Sequence, residues 1–223
     1  MFVEVREREQ LELSWATPLM IAICGVVAGY EVTLSTAERL TFLRDFGTVP
    51  SELFSGGNWD DYWRLFSAVF LHVDPWHLFG NLLFLLLFGL GVERVFRSRW
   101  CVLIFLTCGG LANFVTALVF SDVNAPIVGC SGAVSGLIGA YLLLFPRATL
   151  GLILPLGLYF QFVRVPAQHL IGMWLFLQVL YTIASPSLSQ VAWLSHVVGF
   201  VAGFAMAITM RPWILRKAKQ PRL

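Results

Sequence analysis

Charged residues are scarce in this chain of 223 residues. Asp, Glu, Lys and Arg make up 13% of it, whereas a soluble domain carries about 25%. Hydrophobic residues reach 58%, and the mean hydropathy is +0.78. The net charge is only +2, and no basic patch alternates with aromatic residues, so we expect no nucleic-acid partner. This composition is typical of a membrane protein, and the length suits about six spans of about 20 residues.

Metal-binding and secretory signatures are also missing. The four cysteines are Cys24, Cys101, Cys108 and Cys130. All lie in apolar segments without the spacing of metal ligands, which predicts small buried side chains and no metal site. The first dozen residues mix Glu and Arg, and no small-residue cleavage site follows the first apolar run. We therefore expect that run to be a retained first span.

Six hydrophobic segments predict membrane-spanning helices, at about residues 15–34, 76–95, 100–120, 127–145, 167–185 and 191–210. Residues 35–75 are mixed polar and aromatic and do not fit a span. Residues 146–166 are apolar but broken by three prolines, which predicts an interfacial hairpin. We expect an all-α polytopic membrane protein, with one six-helix domain over 15–210 and short cytoplasmic tails at 1–14 and 211–223.

Basic residues are distributed unevenly among the predicted loops. Ten of them follow spans two, four and six: Arg94, Arg97, Arg99, Arg147, Arg164, Arg211, Arg216, Lys217, Lys219 and Arg222. The opposite loops carry Arg39, Arg44 and Arg64 among a larger number of acidic residues. Because cytoplasmic loops are enriched in Lys and Arg, we expect both termini to be cytoplasmic, in a multi-pass protein of the cell membrane.

Two polar side chains stand out within this apolar sequence. Ser131 and His196 are predicted near the outer ends of spans four and six. A polar side chain inside the membrane has a high free-energy cost, so such a residue is a candidate for function. A serine and a histidine form the minimum set for nucleophilic acyl transfer. Taken alone, Ser131 is more simply interpreted as a serine bonded to its own helix backbone. His196 needs a polar partner. The alternative to a catalytic role is that His196 is a structural residue that joins two helices by a hydrogen bond.

Small residues recur at helical spacing on both predicted helices: Gly132, Gly136 and Ala140 on span four, and Gly199 and Gly203 on span six. Such faces let helices approach closely, as a direct hydrogen bond between Ser131 and His196 requires. No Asp or Glu occurs from Val123 to Leu223. We therefore expect a Ser–His dyad in which His196 acts first as general base and then as general acid.

Two further polar residues lie on one face of span two. His77 and Asn81 are spaced i, i+4 near its outer end, and their donors suit an oxyanion hole. The structural alternative is a polar clamp between helices. His72 precedes them and either braces the loop or faces solvent, whereas His169 lies near the cytoplasmic end of span five, at the wrong depth for this site.

Together these residues resemble the rhomboid intramembrane serine proteases, from about Asp60 to Gly203. The matching motifs are Tyr62-Trp63-Arg64, Phe70-Leu71-His72, His77-Leu78-Phe79-Gly80-Asn81-Leu82-Leu83, Glu93-Arg94, Gly129-Cys130-Ser131-Gly132 and His196-Val197-Val198-Gly199-Phe200-Val201-Ala202-Gly203. Each motif alone has low specificity for the family, but the order of the motifs and their placement on the spans make the whole set specific.

The resemblance implies that Ser131 is the nucleophile and His196 the base. It also implies that His77, Asn81 and the Ser131 backbone N–H stabilise the oxyanion. Substrates would be single-span membrane proteins cleaved in or near the outer part of their helix, without metal or cofactor. The first outer loop would lie partly in the membrane, and span five with the 186–190 loop would gate substrate access.

One position departs from the family pattern. Many members carry a tyrosine four residues after the nucleophile, stacked on the histidine, and here that position is Ser135. Phe200 and Trp193 are the candidates to hold His196 instead. Two other functions are weighed: a non-proteolytic relative that binds membrane helices for quality control, and a small transporter. Because the polar groups cluster at one depth and both Ser131 and His196 are present, the protease is favoured.

Overall fold

The computed structural model describes residues 14–54, 59–156, 159–184 and 193–218, and these are mostly helical. The helices are α1 Ala16–Thr33, α2 Thr36–Phe46, α3 Pro50–Phe54, α4 Arg64–Ser67, α5 Pro75–Phe84, α6 Leu90–Phe96, α7 Ser98–Val119, α8 Ser131–Leu144, α9 Ala167–Ala184 and α10 Trp193–Ala218. Turns of 3-10 helix cover Trp59–Trp63 and Ala68–Phe70, and a π-helical turn, Leu85–Gly89, joins α5 to α6. The two strands are β1 Thr149–Leu156 and β2 Tyr159–Pro166.

Within the described ranges, five helical stretches are long and apolar enough to cross a membrane: Ala16–Thr33, Pro75–Phe96, Ser98–Val119, Ala167–Ala184 and Trp193–Pro212. Their bounds lie within a few residues of the segments predicted as spans one, two, three, five and six. Helix α10 continues beyond its span to Ala218, so the first part of the predicted basic tail is helical. The 186–190 loop, the N-terminal tail up to residue 13 and residues 219–223 lie outside the described residues.

The fourth predicted span is shorter than expected. Helix α8 begins at Ser131 instead of residue 127 and has 14 residues, or about 21 Å at 1.5 Å per residue. It starts late because Ile127 pairs with Thr48 and Gly129 has a φ of +119°, neither of which a helix allows. Every residue from Gly132 to Ala140 is buried, so α8 is a central helix surrounded by protein.

The segment predicted as a hairpin consists of paired strands. Strands β1 and β2 are antiparallel, from Thr149 opposite Pro166 to Leu156 opposite Tyr159. The prolines forbid a continuous helix, and the three aromatic residues and two valines of β2 favour a strand. The hairpin is thus confirmed, and the fold is mostly helical rather than all-α. Its place at the membrane interface stays a prediction.

Helices α8 and α10 meet backbone to backbone. A Cβ on Gly199 would overlap the carbonyl oxygen of Gly132, and one on Gly203 would overlap that of Gly136. The glycine faces predicted from spacing are therefore the contact surface between these helices. Close packing at this surface brings the start of α10 beside the start of α8, where His196 and Ser131 lie.

A buried carboxylate joins α1 to the end of α6. Glu93 accepts hydrogen bonds from the backbone N–H groups of Ala16 and Thr17, at 2.7 and 2.9 Å, and from the Ser98 hydroxyl at 2.6 Å. Helix N-termini favour negative charge because their first N–H groups have no partner within the helix. Glu93 therefore caps α1 from a neighbouring helix and anchors the first span to the bundle.

Candidate active site

Ser131 is the first residue of the central helix α8. Cys130 is the N-cap, and its carbonyl oxygen accepts a hydrogen bond from the Val134 N–H at 2.8 Å. The Ser131 N–H thus belongs to the first turn. The N–H groups of that turn have no acceptor within the helix and form the positive end of the helix dipole. One turn later, the Ser135 hydroxyl donates to the Ser131 carbonyl oxygen at 2.7 Å, so Ser135 is bonded to its own helix.

The start of α5 places His77 and Asn81. Asp74 is the N-cap, and its carboxylate accepts hydrogen bonds from the N–H groups of Trp76 and His77, both at 2.8 Å. Pro75 follows at the first helical position, which suits its fixed φ. His77 therefore lies in the first turn, and Asn81 follows on the same face one turn deeper.

Gly129 brings the nucleophile segment against this face of α5. A Cβ at Gly129 would lie 2.7 Å from Cε1 and 3.1 Å from Nε2 of His77, and 3.8 Å from Nδ2 of Asn81. Its φ of +119° is also a conformation that favours glycine. Both observations explain why a glycine precedes Cys130 and Ser131: a side chain would push the segment away from His77 and Asn81.

His196 lies in the first turn of α10 and is 8% exposed. Its Nδ1 is 2.7 Å from Oε1 of Gln178, on α9. The imidazole neighbours two indoles, with centroid distances of 6.2 Å to Trp174 and 6.0 Å to Trp193. Trp193 is thus confirmed as a neighbour of the imidazole, whereas Phe200 packs on Trp174 at 6.3 Å.

One cavity of about 270 Å³ is lined by all four residues predicted for the site. They are Ser131, His196, His77 and Asn81. Nε2 of His196, Nδ1 of His77 and Nδ2 of Asn81 are buried and have no hydrogen-bond partner in the described structure. The cavity therefore combines a hydroxyl, an imidazole and unpaired polar groups, the set that acyl transfer uses.

The expected direct hydrogen bond between Ser131 and His196 is not formed. Nε2 of His196 has no hydrogen-bond partner among the described residues, because the ring is held from the other side by Gln178 and the two indoles. Such bonds are often long without substrate and tighten when substrate binds. Close approach of the helices was thus predicted correctly, while the bond itself was not.

His72 is buried, so the alternative that it faces solvent is wrong. Its backbone N–H donates to Glu31 at 3.3 Å, and Arg39 donates to the carbonyl oxygens of His72 and Val73 at 3.1 and 2.6 Å. Burial of the ring, with a smaller effect of the neighbouring His77, lowers the pKa of His72 to about 4. The backbone of His72 thus ties the segment before α5 to α1 and α2, and its neutral ring lies with Nε2 3.6 Å from Sγ of Cys130.

The loop between α1 and α5 holds the segment that precedes Ser131. Arg64 donates to Glu52 at 2.7 Å and lies 3.4 Å from Asp61. Thr48 pairs with Ile127 through the backbone, and its hydroxyl donates to the Arg64 carbonyl oxygen at 3.0 Å. Although burial opposes ionisation, hydrogen bonds from Arg64 and then Arg44 lower the pKa of Glu52. The loop thus fixes where the extended segment ends and α8 begins.

Gln178 is the site residue that sequence patterns missed. The signal that could have found it is a polar amide in the middle of an apolar span, which is a site candidate by default. His169, on the same helix, is exposed and does not line the cavity. Among the described residues, no group of three or more His, Cys, Asp or Glu side chains is arranged to hold a metal ion.

Comparison with known proteins shows the family of this chain. A family profile described as "Rhomboid domain" matches residues 60–213. The chain therefore belongs to the rhomboid family. It is 37% identical to "Rhomboid protease GluP" of Bacillus subtilis over 97 residues, which is 44% of this chain and 18% of that protein.

Two further relatives match longer stretches. "Putative rhomboid protease YdcA" of Bacillus subtilis is 31% identical over 106 residues, 48% of this chain and 51% of that protein. "Rhomboid-like protease 2" of Toxoplasma gondii is 30% identical over 129 residues, 56% of this chain and 42% of that protein. The matched stretches thus cover between 18% and 51% of these three relatives.

Proposed function

We propose that this protein is an intramembrane serine endopeptidase that cleaves single-span membrane proteins within or near the outer part of their transmembrane helix. The observation that supports this most is one cavity lined by Ser131, His196, His77 and Asn81. Membership of the rhomboid family, with relatives named as proteases, supports the same reaction class. Substrates are transmembrane proteins, which meet the enzyme within the lipid bilayer.

The proposed reaction starts at the Ser131 hydroxyl. Nε2 of His196 accepts its proton while Oγ attacks the scissile carbonyl carbon. The resulting oxyanion is stabilised by Asn81, His77 and the Ser131 N–H at the helix terminus. The proton on His196 then passes to the leaving amine, and a water molecule activated by the same imidazole hydrolyses the acyl-enzyme. Apart from this water molecule, side chains and backbone of the chain supply every group in the proposed reaction, which uses no metal or cofactor.

The proposed setting is the cell membrane, with both termini cytoplasmic and the cavity opening toward the outer side. The first outer loop lies partly in the membrane, and α9 gates substrate access. Charge asymmetry supports the orientation, because ten basic residues follow spans two, four and six.

Active-site labelling tests the nucleophile. We expect purified wild type to react with a fluorophosphonate probe at Ser131, and Ser131→Ala to lose labelling and at least about 1,000-fold in cleavage of a co-expressed single-span substrate. Ser121→Ala, in the turn after α7, is the matched control. Labelling that persists in folded Ser131→Ala, or its absence from folded wild type, would contradict the assignment. Capture of the substrate without cleavage, unchanged in Ser131→Ala, would instead favour the non-proteolytic function.

A further inference from the structure

The contact between Gln178 and His196 defines which imidazole nitrogen carries the proton. Nε2 of Gln178 donates to the Trp174 carbonyl oxygen at 3.3 Å, so its Oε1 is the atom turned toward Nδ1 of His196 at 2.7 Å. An amide oxygen can only accept a hydrogen bond. Nδ1 therefore carries the ring proton, and Nε2 keeps the lone pair that a general base needs.

We propose that Gln178 is the positioning residue of His196: it selects the tautomer that can accept the Ser131 proton. The inference rests on the proposed function and adds a third member to the expected dyad. In serine protease triads a carboxylate holds the histidine tautomer and also stabilises the imidazolium. Gln178 can do only the first, because its amide is neutral. The residues that line the cavity include no Asp or Glu to do the second.

Helix α9 also supplies part of the aromatic support of the ring. Trp174 lies one turn before Gln178 on the same face, with its ring tilted 30° to the imidazole. Trp193 meets the ring edge-on, at 88°. Ser135, at the family's tyrosine position, is bonded to its own helix instead. The imidazole is thus oriented by side chains of α9 and α10, and Ser135 of α8 takes no part in holding it.

A purely structural role for Gln178 makes different predictions. A buried amide that only joined α9 to α10 would affect stability and would lower activity in proportion to the folded fraction. A positioning residue also changes the tautomer of His196 and the pH dependence of the rate. Gln178→Met keeps the side-chain length and removes the acceptor, whereas Gln178→Glu keeps the acceptor and adds a charge. Thr182→Val is the matched control, because among the described residues the Thr182 hydroxyl bonds within α9 alone, to the Gln178 carbonyl oxygen at 2.7 Å.

The experiment measures kcat, KM and the pH dependence of the rate with a single-span substrate in detergent, and it uses the folded full chain. We expect Gln178→Met to lower kcat roughly tenfold with little change in KM, about the effect of one lost hydrogen bond. Gln178→Glu should recover most of the rate and move the acidic limb of the profile to higher pH, because a carboxylate stabilises the imidazolium. Thr182→Val should match wild type. A folded Gln178→Met enzyme with wild-type kcat and pH profile would overturn the proposal.

A second readout does not depend on activity. Nitrogen-15 spectra of the histidine rings in Ser131→Ala, with His196 assigned by its loss in His196→Ala, should show Nδ1 protonated at neutral pH. Adding Gln178→Met should abolish that preference. If the same tautomer persists without the amide, Gln178 does not select it. If instead wild type shows no Ser131-dependent labelling, the proposed function fails while the tautomer result still decides the role of Gln178.

Discussion

Some buried polar residues in this bundle have hydrogen-bond partners, and others keep buried atoms without one. Glu93, Gln178 and Ser135 each form hydrogen bonds to a neighbouring helix or to their own backbone. His77 and Asn81 keep buried polar atoms without partners among the described residues. Because an unsatisfied polar group away from water is costly, the grouping of such atoms around one cavity supports the proposed active site.

His72 makes stability depend on pH. Its pKa of about 4 in the folded chain lies below the unfolded value of about 6.5. Between these values the unfolded state binds more protons, so the stabilisation is complete above pH 6.5 and is lost as pH falls toward 4. The loss amounts to at most about 3 kcal/mol.

The test compares unfolding midpoints in detergent at pH 7.5 and pH 5. We expect His72→Gln to show a smaller decline than wild type, because the group that takes up a proton on unfolding has been removed. His169→Gln, at an exposed histidine, controls for the substitution itself. Equal declines in wild type and His72→Gln would show that His72 is not the group responsible.

Close packing of α8 against α10 requires glycines at their contact surface, because a larger side chain would overlap the facing backbone. We expect Gly203→Ala to destabilise the bundle by about 1–3 kcal/mol, because its Cβ would overlap the Gly136 backbone and force the helices apart. Activity should fall with it, since the two helices hold His196 and Ser131. Unfolding in denaturing detergent and substrate cleavage measure the two effects.

A second glycine supplies the control for this change. A Cβ at Gly172, on α9, would meet no neighbouring atom within 4 Å, so the space around it is open. Gly172→Ala should be neutral or slightly stabilising, since alanine favours a helix by roughly 0.5–1 kcal/mol. If both variants unfold alike, contact between α8 and α10 does not limit stability.

The topology of the whole molecule depends on the short helix α8. Its 14 residues reach about 21 Å, less than the hydrocarbon thickness of about 30 Å. Because α8 is surrounded by other helices, the extended segment from Ile127 to Cys130 can complete the crossing inside protein. Six crossings place both termini on one side, whereas five would place them on opposite sides.

Protease protection of tags at the two termini distinguishes these topologies. We expect both tags to be cleaved in inverted vesicles and both to be protected in right-side-out vesicles, because the positive loops are retained in the cytoplasm. A tag inserted after Ser121, on the opposite side, should show the reverse pattern. Opposite behaviour of the two terminal tags would mean that α8 does not complete a crossing.

Local patterns were sufficient to predict most elements, and they also supplied the candidate nucleophile and base. Five spans follow from runs of apolar residues, and the contact faces of α8 and α10 follow from glycines at helical spacing. The start of α8 was placed four residues early, since hydropathy does not distinguish an extended apolar segment from a helix. The strands of the hairpin were missed for the same reason.

The class of membrane protein, the candidate nucleophile and base, and the lack of a later carboxylate are properties of the amino-acid order alone. Tertiary structure decided that Gly129 rests against His77 and that Gln178, 18 residues before His196, holds its imidazole. It also decided that Ser131 and His196 share a cavity without a direct hydrogen bond. The physical reason is that contacts between helices depend on their relative depth and rotation, which the periodicity of a single helix does not specify.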